Sequence, residues 1–314
     1  VELRLATLSP LNPDEARVRT SFSGISRGTE RLVLTGAVPP TEYERMRAPL
    51  QDGAFPFPVK YGYCAAGIVE DGPAELIGRR VFCLHPHQDV FHAAISMLAA
   101  VPDAVPERRA TLSANMETAL NALWDSGAGP GDKIVIVGAG IVGLMVASLA
   151  AKLPGADVTV VDPLAERAPL VARLGAAFAP PDQVEGDADV VFHTSASAAG
   201  LATAIGACGL EATLVELSWY GDRDIAAPLG GAFHSRRLRL ISSQVGQVAP
   251  SRRPRWSYRR RLEKALHLLA DPVYDALVAT EIAFDALPRL LPDVLTSVSA
   301  ALPPVIAYDV PSSS

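Results

Sequence analysis

The rhythm of apolar positions along this chain changes near residue 120. Before it, short alternating runs at residues 18–22, 67–70 and 80–84 are broken by prolines and glycines, which predicts short strands of an irregular β domain. A helix is expected over 107–126, and the glycine-rich stretch 127–132 then breaks the chain. Beyond it, β-branched runs at 134–137, 158–161, 189–192, 212–217 and 238–241 predict strands. They alternate with helical patterns at 144–153, 164–174, 198–208 and 259–270, the second of which stops at Gly175. Such alternation implies a parallel sheet with helices on both faces. The fold class is therefore α/β, a Rossmann doubly wound parallel sheet plus an irregular β domain. Boundaries fall at 1–120, 121–270 and 271–314, the last with a helix-like stretch, a strand candidate at 303–308 and a frayed end at Ser312 to Ser314.

The strand at 134–137 runs directly into Gly138-Ala139-Gly140-Ile141-Val142-Gly143, a G-x-G-x-x-G pattern placed between strand and helix. Gly138 would allow the tight turn, Gly140 the close approach of backbone to a pyrophosphate, and Gly143 the packing of helix on strand. Ile141 and Val142 complete the stretch at which phosphates would meet free N–H groups of a helix N-terminus. The next strand ends in Asp162, 19 residues after Gly143. An acid there accepts hydrogen bonds from ribose hydroxyls and repels a 2′-phosphate, so NAD is expected and NADP disfavoured. Arg167, which would pair with a 2′-phosphate, weighs the other way.

Composition narrows the classes. Residues 134–151 form an uncharged, mostly apolar run long enough to suggest a membrane span, but the three glycines assign it to a buried strand and helix. With no membrane span and no targeting pattern over Val1 to Ser9, a cytoplasmic location is expected. Three scattered cysteines suit reduced thiols rather than a disulfide framework. A net charge of −6 disfavours nucleic acid, although residues 252–261 hold six arginines, read as a solvated loop and first helical turn.

Ser23-Gly24-Ile25-Ser26-Arg27-Gly28-Thr29-Glu30 resembles, with one extra residue, the G-I-C-G-[TS]-D segment of the medium-chain dehydrogenase/reductase superfamily. The stretch from Tyr61 to Val69 resembles its G-H-E-x-x-G-x-V segment, Gly78-Arg79-Arg80-Val81 its G-D-R-V, and Leu174-Gly175-Ala176 its L-G-A. The resemblance implies a GroES-like catalytic domain first, a Rossmann domain second and a tail that returns to the first. It also implies a homodimer paired through the nucleotide domains, by the edge near Leu238 to Ser242. Where zinc-dependent members supply cysteine this chain has Ser26; where they supply histidine and glutamate it has Tyr63 and Cys64; the third ligand position falls near Ala114. These do not make the thiolate and imidazole set of a catalytic zinc. The resemblance is thus to a zinc-free branch similar to the bacteriochlorophyllide a dehydrogenase-like group, with no metal and no zinc expected. A separate metal site at His85, His87 and His92 is disfavoured because Pro86 interrupts the strand.

The expected activity is a zinc-independent, NAD(H)-dependent interconversion of an alcohol and a carbonyl on a small molecule. Tyr63, at a ligand position, is the leading group to donate to a developing oxyanion, Thr29 stands where relatives place a proton relay, and Ser26 assists. Arg27 is counted with the cofactor residues as a reach toward the pyrophosphate, and Tyr220, after the strand at 212–217, as a stacking group at the strand's C-terminal edge. Asn115, Glu117, His193 and Gln244 are weaker candidates. Two alternatives stay open: an NADPH-dependent quinone or enoyl reductase of the same fold, and a non-catalytic NAD-binding protein.

Overall fold

The computed structural model describes residues 1–309; Ser312 to Ser314 lie outside them. The chain divides into two units, Val1–Ala114 with Leu262–Ser314, and Asn115–Arg261. The boundaries expected near 120 and 270 thus fall at Ala114 and Leu262.

Unit 1 opens with β1 (Glu15–Gly24), a strand twice the length expected, whose residues Ala16, Val18 and Thr20 alternate into the core. Helix α1 (Arg27–Leu34) follows, an element the apolar pattern did not predict. A small ladder, β2 (Asp52–Gly53) with β3 (Val59–Lys60), precedes β4 (Ala65–Asp71), β5 (Arg80–Cys83), β6 (Val90–Ala94) and β7 (Ala99–Ala100). β1 pairs antiparallel with β4 on one side and with β6 on the other, and β5 joins β4 to β7. Val18, Ala65, Val69, Val81 and Phe91 close the core between them. Each fully buried aliphatic or aromatic side chain of this kind stabilises by roughly 1.5–3 kcal/mol.

The helix expected over 107–126 is two helices, α2 (Glu107–Ala110) and α3 (Ser113–Ser126). Thr111 Oγ1 donates to the Arg108 carbonyl and Ser113 Oγ to the Ala110 carbonyl, local bonds that compete with helix continuation at this point.

Unit 2 carries, among the described residues, a six-stranded parallel sheet of β8 (Lys133–Val137), β9 (Asp157–Val161), β10 (Ala177–Ala179), β11 (Ala188–His193), β12 (Cys208–Glu216) and β13 (Arg239–Ser242). Their order is β10-β9-β8-β11-β12-β13, the doubly wound arrangement, with the direction of winding reversing between β8 and β11. Buried on both faces, β8 has four consecutive buried residues, which is why it reads as a continuous apolar run. Helices α4 (Ile141–Ala150), α5 (Ala168–Arg173) and α6 (Ala198–Ala207) link the strands. Helix α5 starts later than expected, because Ala165–Arg167 forms a tighter turn ahead of Pro169, and it ends at Gly175 with φ +87.

The chain re-enters unit 1 within α7 (Tyr258–Leu268) and continues as β14 (Glu281–Ala283), α8 (Leu287–Thr296) and β15 (Val305–Ala307). β15 pairs with β1 in the register Phe22 to Ala307, and Leu287, Leu291 and Leu295 of α8 pack beside Ile25 and Ile306. Among the described residues no helix is long and apolar enough to cross a membrane.

Candidate functional site

The glycine loop of unit 2 assigns each glycine a different physical constraint. Gly138 has φ +113, and a Cβ there would stand 2.7 Å from Thr194 Oγ1. A Cβ on Gly143 would run into the backbone carbonyl of Gly138, so helix and strand meet only because that side chain is absent. Gly140 differs: its φ of −75 suits any residue and a Cβ would meet nothing within 4 Å. The open space lies over the N-terminus of α4, whose first N–H groups, those of Ile141 and Val142 included, have no partner inside the helix. Turn, open approach and close packing are the three requirements of a dinucleotide loop. The loop also sits at the switch point, since β11 ends beside it and Thr194 Oγ1 donates to the carbonyl of Gly138 at 2.9 Å.

Asp162 follows β9 as expected, but its carboxylate is already engaged. Oδ2 accepts from the N–H of Ala139 at 2.8 Å and from Arg167 Nη1 at 2.9 Å, and Oδ1 accepts from the N–H of Leu164 at 3.0 Å. Both side chains of the pair are buried. Asp162 thus ties the glycine loop to the second strand, and Arg167 is its counter-ion.

Beyond the switch point lies a polar chain at the C-terminal ends of β11 and β12. His193, fully buried, places Nδ1 2.7 Å from Glu216 Oε2 and Nε2 2.7 Å from Ser195 Oγ. Tyr220 donates to Glu216 Oε2 at 3.0 Å, and the N–H of Ser218 donates to Oε1 at 2.7 Å. Burial works against the Glu216 charge, yet the bonds from His193 and Ser218 hold its carboxyl below the ordinary value. The Tyr220 hydroxyl is pushed up by burial and by the adjacent Glu216 charge. Tyr220 therefore stands at the edge where it was expected, but as a hydrogen-bonding partner of His193 and Glu216. Gln244 closes a local turn onto the N–H of Gly246.

In unit 1 the three residues expected to act on substrate come together. Tyr63 follows the small ladder of β2 and β3, and Ser26 and Thr29 stand at the start of α1. Burial raises the Tyr63 hydroxyl well above the ordinary tyrosine range, Cys64 adds to this, and hydrogen bonds from the Ser26 and Thr29 side chains oppose it. A phenol so placed keeps its proton at neutral pH and offers it as a hydrogen-bond donor. Arg27 is the first residue of α1, where Nη1 lies 3.4 Å from the Ala301 carbonyl of the same unit. A second chain supports the group: Glu30 accepts from the N–H of Ser26 at 2.7 Å, Glu30 Oε2 lies 3.1 Å from His87 Nε2, and His87 Nδ1 lies 2.8 Å from Ser23 Oγ, which contacts Tyr308 OH at 2.9 Å. Sequence reasoning missed this chain and the one around His193. Glu30 and His87 are 57 residues apart, and only the shared register of two strand ends signals the pairing of His193 with Glu216.

The weaker candidates resolve into structure. Glu117 on α3 has the partner a buried carboxylate requires, Arg261 Nε at 3.0 Å, and Arg261 also donates to Asn121 Oδ1 at 2.8 Å and to the Val245 carbonyl at 2.6 Å. Arg261, expected to be solvated with its arginine-rich neighbours, is buried. His85 stacks on Phe91 with ring centroids 3.8 Å apart and its Nδ1 against the Pro86 carbonyl, while His87 serves Glu30. Among the described residues no group of three His, Cys, Asp or Glu could hold a metal ion. At the positions where the resemblance places zinc ligands, Ser26, Tyr63, Cys64 and Ala114 do not make a zinc donor set, so no chemical step is derived through that metal.

No family model matches the chain. Solved structures match it along nearly its whole length. The 2R,3R-butanediol dehydrogenase of Bacillus subtilis shares 18% identity at a TM-score of 0.75, with 98% of this chain and 96% of that one covered. A protein from Sinorhizobium meliloti described as a zinc-binding dehydrogenase, bound to NADP, shares 18% identity at a TM-score of 0.74, with 97% and 94% covered. A short chain alcohol dehydrogenase from Escherichia coli CFT073, complexed with NADH, shares 14% identity at a TM-score of 0.72, with 98% and 95% covered. These likenesses establish the fold, which the chain shares with these three dehydrogenases. They overturn the expected cofactor choice, NAD with NADP disfavoured and zinc absent, because one structure of this fold is described as zinc-binding and is bound to NADP. The geometry of Asp162 supplies a physical reason on the nucleotide side: an acid whose oxygens serve Ala139, Leu164 and Arg167 is not an open acceptor that selects against a 2′-phosphate.

Proposed function

We propose that this chain is an oxidoreductase that uses a nicotinamide dinucleotide, NAD(H) or NADP(H), to interconvert an alcohol and a carbonyl on a small molecule. The observation that carries the proposal is the unequal role of the three glycines. Gly138 and Gly143 are required by the protein's own packing, whereas nothing in the protein requires Gly140 to be glycine. Its bare backbone at a helix N-terminus, at the switch point of a doubly wound sheet, suits a bound pyrophosphate.

The dinucleotide, when bound, supplies or accepts the hydride. The protein's part is then positioning and proton control. Unit 2 would hold the pyrophosphate on the N–H groups following Gly140, with Asp162 fixing the loop through Ala139. In unit 1 the Tyr63 phenol, kept protonated by burial, would donate a hydrogen bond to the substrate oxygen as negative charge develops there. Ser26 and Thr29, bonded to the same hydroxyl, would orient it, and Glu30 would fix the start of α1 through the Ser26 N–H. A homodimer through β13 belongs to the same proposal: it is an outer strand of its sheet, and Leu240 on it is exposed.

The test is a fluorescence titration with NADH and with NADPH, on metal-stripped protein and again after adding zinc, followed by a panel of alcohols and carbonyls. Saturable binding of either dinucleotide and turnover of a panel member support the proposal. Failure of both dinucleotides to bind in both metal states defeats it. Binding without any turnover assigns the chain to non-catalytic dinucleotide binding.

A further inference from the structure

His193 is more elaborately held than a structural histidine at a strand end needs to be. Because Glu216 can only accept, its 2.7 Å contact places the proton of neutral His193 on Nδ1. Nε2 is then a bare acceptor, 2.7 Å from Ser195 Oγ, whose proton it takes in hydrogen bond. The chain continues in one direction: the N–H of Gly200 donates to Ser197 Oγ at 3.0 Å, and Ser197 Oγ, at 3.0 Å, donates to Ser195 Oγ. A hydroxyl bonded to an imidazole, itself oriented by a carboxylate, is the arrangement that activates a serine nucleophile, and such triads are recognised by geometry rather than by position in the chain.

The backbone around Ser195 independently suits that role. The serine lies on the turn from a parallel strand, β11, into a helix, α6, at the C-terminal edge of the sheet. Ala196 beside it has φ +51, a left-handed conformation uncommon for a residue with a side chain. A Cβ on Gly200, in the first turn of α6, would overlap Ser195 Oγ and come within 2.8 Å of His193 Nε2, so the hydroxyl has its place only because that residue is glycine. Strained strand-to-helix turn, serine and small neighbour recur together where a nucleophile is presented at the top of an α/β sheet.

We propose that Ser195, His193 and Glu216 form a nucleophilic triad that reacts with activated carboxylic esters. Ser195 Oγ bonds to the acyl carbon as its proton passes to His193 Nε2; the bond to the aryl oxide leaving group breaks and that oxide takes the proton. Water then cleaves the acyl-serine along the same path. Glu216, Ser218 and Tyr220 face the imidazole, Ser197 contacts Ser195, and Arg223 lies over the Tyr220 ring. The N–H of Ala196 is committed to Ser218 Oγ at 3.0 Å, which leaves one oxyanion donor engaged and restricts the substrates to esters with good leaving groups.

The test is a fluorophosphonate probe on the intact protein, with the adduct located by peptide mass spectrometry. Ser195 Oγ forms the bond to phosphorus, and fluoride leaves with the serine proton. A single adduct on Ser195 is expected, lost in Ser195→Ala and slowed about 100-fold in His193→Gln, with p-nitrophenyl acetate hydrolysis falling in parallel. An adduct elsewhere, no adduct, or an unchanged rate in His193→Gln overturns the proposal. Mapping on the parent protein needs no variant to fold, and the triad stands or falls whether or not a dinucleotide binds.

Discussion

The unequal glycines make a prediction that separates a ligand-binding loop from a mere turn. In Gly140→Ala the new methyl enters open space and the backbone, at φ −75 and ψ 175, already suits alanine. Reduced freedom of the unfolded chain favours the variant by about 0.4–1 kcal/mol, and a poorer helix N-cap costs a similar amount, so stability should change by less than ~0.5 kcal/mol. The methyl would, however, stand where a pyrophosphate must approach. Loss of a hydrogen bond to a charged group costs about 1.5–3 kcal/mol, which corresponds to a dissociation constant raised roughly 10- to 100-fold. Gly143→Ala should behave in the opposite way. Its methyl collides with a backbone carbonyl that cannot rotate aside, an overpacking cost of about 1–3 kcal/mol. For domains of this size each kcal/mol lowers the melting temperature by ~2–4 °C. Thermal unfolding and NADH and NADPH titration of both variants read the two effects separately. If Gly140→Ala binds whichever dinucleotide the parent binds with unchanged affinity, the open space is not a pyrophosphate site and the loop is only a turn.

Three further outcomes follow from the same geometry. Tyr63→Phe should slow single-turnover hydride transfer by about 100- to 1,000-fold while leaving dinucleotide affinity within ~2-fold, and an unchanged rate removes Tyr63 from the chemistry. Arg261→Met leaves Glu117 and the Val245 carbonyl without this donor and Asn121 Oδ1 with only the Ala249 N–H, so urea unfolding should show a loss of about 3–5 kcal/mol, partly recovered in the Glu117→Gln double variant; a loss under ~1 kcal/mol refutes the pairing. Burial, with Lys60 and His87 adding to it, lowers the His85 pKa from 6.5 to about 4. The folded state therefore binds fewer protons than the unfolded one between these values. The His85 contribution to stability is complete above pH 6.5 and is lost as pH falls toward 4, on the order of 3 kcal/mol, and His85→Gln should flatten that part of the pH profile.

Sequence pattern revealed what one element specifies by itself. β8 reads from the sequence because both its faces are buried, and the loop after it because glycine spacing within a single strand-turn-helix fixes three constraints at once. Shorter or weaker patterns escaped. β10 and β14 have three residues each, too few to show a period, and α1 begins with Arg27, Gly28, Thr29 and Glu30, so its buried Leu32 and Val33 arrive only at its end. Tyr63, Ser26 and Thr29 were found by resemblance to a family, not by spacing, since Tyr63 lies far along the chain from the start of α1 that carries Ser26 and Thr29.

What escaped most completely was the pairing of charged and polar groups across elements, and this decides their chemistry. Asp162 carries the right residue type at the right position, but whether its oxygens are open depends on Ala139, 23 residues earlier, and on Arg167. Glu117 and Arg261 are 144 residues apart, and each alone reads as a surface charge or an active-site acid. The pairing of His193 with Glu216 lies between these extremes. Both are the last residues of adjacent parallel strands and share a register, so once the order β8-β11-β12 is assigned, their contact follows from strand ends alone. A parallel sheet brings its strand ends to one edge, and polar residues placed there have no apolar layer to occupy. Ionisable residues that terminate neighbouring strands are therefore the pairs to seek first in a doubly wound chain, ahead of any histidine or acid judged singly.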